Sequence, residues 1–260
     1  MRFFFPFLLT HHSADYTLGG LSDSFYEYLI KQWVWTNRTE PLFLEKYLES
    51  VEGVKRFLVN TANIEGRDVR YVGKYKLGQR EYKMEHLACF SGGMIALGAN
   101  SHKTEQYSEL MDLAADLVLA CRLSYINTKS GLGPEKFGFS ETRTVPDAGA
   151  HYYILRPEYV ESLFYMWRYT KDVKYRQWGY DVIQALDRGC RLETGYSGLE
   201  NINNPGTGYT DIQESFFLAE TLKYLYLLFA DDTLLPLDEW VFNTEAHPLP
   251  VIGKTPPRSR

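Results

Sequence analysis

Along most of this chain apolar side chains recur every three or four residues with polar and charged residues between them, the spacing of amphipathic helices. One such pattern carries Phe25, Leu29, Ile30 and Trp33, with Ser22 or Asp23 placed to cap its start. A second covers residues 43–59 through Leu44, Tyr47, Leu48, Val51, Val54 and Leu58. The same periodicity predicts helices over 105–125, 157–169, 174–186 and 211–229. Only residues 70–77 alternate as a short strand or hairpin would. Successive helices of similar length, joined by loops, predict antiparallel helical hairpins. A bundle, a solenoid and an α/α toroid all satisfy that pattern, and no internal repeat selects among them. Two long Gly-rich loops, 130–150 and 195–210, are where function would concentrate in a helical protein. Residues 253–260 read as an irregular tail.

Composition changes this picture little. The 260 residues, with 45% hydrophobic and 23% charged, fit a globular chain of one large or two small domains. A net charge of −5 supplies no electrostatic pull toward nucleic acid. Twenty Tyr, 15 Phe and 5 Trp suit a sugar-binding cleft, although aromatic residues also fill helical cores. The three cysteines, Cys89, Cys121 and Cys190, match no zinc spacing. Composition favours three buried thiols over one bridge and one free thiol. Residues 3–9 have the outline of a very short signal peptide, and equally of a buried segment, and no stretch of about eighteen apolar residues is present.

Three constellations could carry chemistry. The first runs from Arg156 to Ser162. Pro157 suits a helix start, which places Glu158 and Glu161 in the first turn, where the helix dipole favours an ionised carboxylate. A general base needs that ionisation, yet acidic residues decorate many first turns. The second contains Phe216 and Glu220, four apart, so an aromatic face and a carboxylate share one side of a helix. An ordinary core Phe explains it equally. The third is the Asn243–His247 loop, where Thr244 offers two oxygens of the kind hard cations prefer. His86, between Glu85 and Leu87, reads by default as a satisfied structural histidine.

Taken together these segments resemble glycoside hydrolase family 47, the class I α-mannosidases. The stretches that carry the resemblance are TLGGLSDSFYEYL at 17–29, HLACF at 86–90, LRPEYVESLFY at 155–165, ESFFLAETLKY at 214–224 and VFNTEAHPLP at 241–250. The resemblance implies a part of an all-α, α/α toroid of helical hairpins, with a short β-hairpin. It implies inverting hydrolysis of terminal α-1,2-linked mannose from high-mannose N-glycans. Glu158 would activate water, with Asp23 the other acidic residue near the cleavage point. Arg156, Glu161, Phe216, Glu220 and Glu245 would line the sugar subsite, with His86 close by. Thr244 would supply the direct protein ligands of a Ca2+ ion otherwise held by water and sugar hydroxyls. Leu21, where members confined to a single mannose carry Arg, resembles the broader Golgi enzymes. Cys89 and Cys121 match the family's disulfide pair, as expected in an oxidising Golgi or endoplasmic reticulum lumen.

The resemblance covers residues 17–252 and leaves 1–16 unmatched. The family's catalytic domain is nearly twice as long, with its general acid glutamate and, in Golgi members, a membrane anchor upstream. The expectation is therefore a C-terminal half that lacks the acid and is inactive by itself. A glycan-binding homologue that does not hydrolyse is the alternative.

Overall fold

A computed structural model describes residues 15–254. The apolar run at 3–9 and the tail from residue 255 lie outside the described residues. Seven α-helices are present among them: α1 (Asp23–Trp35), α2 (Pro41–Gly53), α3 (Ser91–Ser101), α4 (Tyr107–Ile126), α5 (Glu158–Thr170), α6 (Lys174–Gly189) and α7 (Lys223–Phe229). Short antiparallel strands join them, the longest being the hairpin of Val59–Ile64 with Arg67–Val72. The arrangement agrees with the all-α, partial-toroid expectation: helices carry the core, and among the described residues no sheet exceeds three strands.

The core forms around α3. Nine of its eleven residues are buried, so it has no polar face and no amphipathic period. That is why periodicity does not mark it. It lies against α4 and α5. A methyl group at Gly92 would meet Val118 Cγ2 of α4 at 2.5 Å, and one at Gly93 would meet Tyr165 Cδ2 of α5 at 2.9 Å. Only glycine lets three helix backbones approach this closely. Cys89, just before α3, is bridged to Cys121 in α4, with Cα atoms 6.0 Å apart, and Cys190 is a buried free thiol. The bridge agrees with the family pairing and overturns the compositional preference for three thiols.

Several boundaries differ from the periodic reading. The helix expected over 43–59 is α-helical only to Gly53. Val54–Leu58 then winds as a π-helical turn, and Val59 opens a strand. The expected strand at 70–77 is two: Arg67–Val72, paired with Val59–Ile64, and Lys74–Lys76. The helix expected from 211 starts later, because Asp211 adopts φ 56°, and its first full turn, Phe217–Leu222, is again π-helical. Ser22 occupies the N-cap of α1 without a side-chain capping bond; the Asp23 side chain instead accepts from the Ser24 amide. Pro157 sits at the N-cap of α5, so Glu158 is its first helical residue.

Candidate active site

The starts of α1 and α5, the π-helical turn and the loop after Trp240–Phe242 converge on one cavity of about 240 Å³. It is lined by Asp23, Ser24, Glu27, Leu87, Phe90, Arg156, Pro157, Glu158, Glu161, Phe216, Glu220, Thr244 and Glu245. Residues from five separate stretches of chain thus meet, and eight of the expected site residues are among them. On α1, Asp23 and Glu27 lie four apart on the face toward the cavity, and Lys31 follows one turn deeper.

Leu155 sets up the α5 side. It is fully buried yet left-handed, with φ 69°, and its carbonyl accepts a 2.7 Å hydrogen bond from Thr221 Oγ1. Such backbone strain, costing on the order of 1–3 kcal/mol, persists only where surrounding packing enforces it. Here it turns the chain so that Arg156 and Glu158 both face the cavity. Arg156 is held by Glu135, whose two oxygens lie 2.7 and 2.9 Å from its Nε, and its guanidinium stands 5.8 Å from the Phe216 ring centre. Glu135 comes from the long loop expected at 130–150, and nothing local in the sequence singles it out.

The histidine that read as structural is buried and in contact with the proposed base. His86 Nδ1 lies 2.7 Å from Glu158 Oε2. Burial alone would raise the Glu158 carboxyl, but the hydrogen bond and charge of His86, with Arg156, hold it below its ordinary value. Asp23 moves the opposite way: burial raises it and the neighbouring Glu158 adds to the rise, against an opposing bond from the Ser24 amide. Two carboxyl groups of one cavity are therefore driven apart, one toward ionisation and one toward protonation.

Beneath the cavity, buried Lys31 contacts Glu27, Glu161 Oε1 at 3.3 Å and the Asn243 carbonyl at 3.2 Å. Burial opposes its charge, but Glu27, Tyr165 and Glu161 outweigh that and keep the lysine protonated. Tyr224 donates to the same Glu161 oxygen at 3.1 Å. The next loop is shaped by Asn243, whose side-chain oxygen accepts from the amides of Glu245 and His247, and by Lys223, which bonds the Ala246 carbonyl. Thr244 is presented to the cavity from this frame.

Six carboxylates line the cavity, with Arg156 as the cation among them. Glu220 feels the excess: burial, Glu161 and Glu245 push its carboxyl up to about 9. Every anionic group of the lining is a carboxylate, a hard oxygen donor that fits a hard cation such as Ca2+. Among the described residues no group of three His, Cys, Asp or Glu closes on one metal position.

Two of the expected site residues are absent from the cavity wall: His86, fully buried against Glu158, and Leu21. Leu21 is fully exposed and left-handed at φ 74°, two residues before Asp23. In return the fold brings in Glu27, Leu87 and Phe90, all within the motif stretches, and Lys31 and Glu135 behind them.

The sequence signature of Glycosyl hydrolase family 47 matches residues 8–251. Human mannosyl-oligosaccharide 1,2-alpha-mannosidase IC is 46% identical over 243 residues, which is 93% of this chain and 38% of that protein. Mannosyl-oligosaccharide alpha-1,2-mannosidase IA of Drosophila melanogaster is 46% identical over 91% of this chain and 35% of its own. This chain thus spans less than half the length of either relative. The solved alpha-1,2-mannosidase from Trichoderma reesei superposes with a TM-score of 0.83 at 29% identity, over 92% of this chain and 53% of that one. Sequence signature, relatives and superposed fold agree with the cavity's chemistry, and the chain belongs to glycosyl hydrolase family 47.

Proposed function

We propose that this chain carries the water-activating side of an α-1,2-mannosidase that removes terminal mannose from high-mannose N-glycans with inversion. The observation that carries the reading is the meeting of Glu158, braced by His86 at 2.7 Å, with Asp23 in one acidic cavity. Ionised Glu158 takes the proton of the attacking water, and His86 holds that carboxylate in place from behind. Asp23, its carboxyl raised by burial and by neighbouring Glu158, is the second acidic group at the cleavage point. Phe216, with Arg156 beside it, forms a flat platform for the apolar face of a sugar ring. Glu161, Glu220 and Glu245 accept hydrogen bonds from sugar hydroxyls. Inversion requires the water-activating carboxylate and the proton donor to be separated by roughly 6.5–9.5 Å, leaving room for water.

The donor set and the family support Ca2+ beside Thr244, where the ion would orient sugar hydroxyls and offset the negative charge of the cavity. The Cys89–Cys121 bridge supports residence in the oxidising lumen of the Golgi or endoplasmic reticulum, and glycoproteins bearing high-mannose N-glycans are the partners that follow. Among the described residues no helix is long and apolar enough to cross a membrane.

The test is mannose release from an α-1,2-linked mannobiose and from a high-mannose N-glycan by protein containing this chain, with calcium present. The anomer released first is read by NMR. Release of the inverted sugar, abolished in Glu158→Gln while glycan binding persists, is expected. Glycan binding with no release by the unsubstituted protein would establish a lectin-like homologue instead.

A further inference from the structure

The segment that ends α1 reads Asn37-Arg38-Thr39, an Asn-x-Thr acceptor triplet for N-linked glycosylation with no proline at its centre. We propose that Asn37 carries an N-linked oligosaccharide. The fold presents this triplet at the surface. Asn37, Arg38 and Thr39 are all exposed. Asn37 and Arg38 are both left-handed, at φ 53° and 63°, and turn the chain sharply away from the helix. The main chain secures this turn through Asn37 N to Val34 O at 3.0 Å and Arg38 N to Trp33 O at 2.9 Å. Arg38 Nε bonds the Ser101 carbonyl and Thr39 Oγ1 bonds the Thr36 carbonyl. Among the described residues no hydrogen bond engages the Asn37 side-chain amide, so a glycan there breaks none.

A second observation bears on the compartment. The bridged Cys89–Cys121 pair belongs to an oxidising lumen, where acceptor triplets meet their donor. The donor class is an oligosaccharide linked through its anomeric carbon to an isoprenoid diphosphate. Transfer forms a bond from Asn37 Nδ2 to that carbon and breaks the carbon–oxygen bond to diphosphate. The lipid diphosphate leaves with the bonding electrons, and one amide proton passes to a base of the transferring enzyme. The tight left-handed turn is unlike an extended peptide, so transfer precedes folding and the finished turn holds the sugar outward.

Position gives the modification a consequence. Asp23 is the first of the thirteen residues of α1, at the cavity, and the turn follows the last, a rise of about 20 Å. The glycan therefore stands at the far end of α1 and leaves the cavity mouth open. The proposal does not depend on the mannosidase reading.

The experiment secretes the full chain from animal cells behind a cleavable signal and considers only molecules whose Cys89–Cys121 bridge is found by non-reducing peptide mapping. That criterion certifies passage through the lumen, and catalytic activity is not needed. Intact mass is recorded before and after peptide-N-glycosidase. One oligosaccharide per chain is expected, lost in Asn37→Gln and Thr39→Ala and retained in Thr39→Ser. Bridged, unsubstituted chains with an unmodified Asn37 would overturn the proposal, as would a glycan that survives Thr39→Ala.

Discussion

His86 lies between Glu158 and Tyr125: its Nδ1 is 2.7 Å from the Glu158 carboxylate and its Nε2 is 2.7 Å from the Tyr125 hydroxyl. The ring is fully buried, so its orientation is fixed by these two bonds and by packing. Through it, a core tyrosine of α4 is coupled to the carboxylate that faces the substrate cavity. Loss of either bond leaves a buried polar atom unpaired.

This coupling predicts a pH dependence. The Glu158 carboxyl is held below its ordinary value, so the base is competent above that depressed value and is lost as pH falls through it. The acid limb of kcat/KM therefore lies below the usual glutamate range of about 4.3. His86→Phe removes the bond and charge that oppose burial, and the limb should move to higher pH. A pH profile of kcat/KM checks this, and an unmoved limb would separate His86 from the ionisation of Glu158.

Lys31 predicts a non-additive stability effect. Its ammonium sits between Glu27 and Glu161 with all three side chains buried. Lys31→Met leaves two buried carboxylates without their cation and should cost about 3–5 kcal/mol in denaturant unfolding. The double substitution Glu27→Gln with Lys31→Met removes one of those carboxylates and should cost less than Lys31→Met alone. Strict additivity would show that the three groups do not share one electrostatic balance.

Calcium should stabilise the folded chain measurably. An ion that binds only the native state at a hundredfold excess over Kd adds about 2.7 kcal/mol, or roughly 5–10 °C in Tm for a chain of this size. Thr244→Ala should abolish the shift, and chelation should reverse it in the unsubstituted protein. A calcium-induced rise in Tm of equal size in Thr244→Ala would place the ion elsewhere.

The disulfide should matter as much as the core around it. It joins residues 32 positions apart, and closing such a loop contributes roughly 3–4 kcal/mol by limiting the unfolded chain. Replacing Cys89 and Cys121 together with Ala should lower Tm by about 10 °C. Cys190, buried and with its thiol pushed up to about 12 by burial, should react with a thiol reagent only after unfolding.

The features legible from residue order are local or are carried by motifs. The stripe on α1 and the start of α5 follow from residue spacing, because helical neighbours are three and four positions apart. The ordered motifs marked Asp23, Arg156, Glu158, Glu161, Phe216, Glu220, Thr244 and Glu245, and all eight line the cavity. The tertiary structure alone decided how they are held. Glu135 grips Arg156 across 21 positions and Lys31 reaches Glu161 across 130, separations at which no periodicity in the chain has meaning. Helix α3 escaped notice because a helix buried on every side has no polar face to set a period. The π-helical turn at Phe217–Leu222 and the left-handed Leu155 depend on packing that outweighs backbone preference. Leu21 illustrates the same limit from the other side. Its place two residues before Asp23 was plain from the chain, but its exposure outside the cavity wall depends on where that strained turn points once the helices have packed.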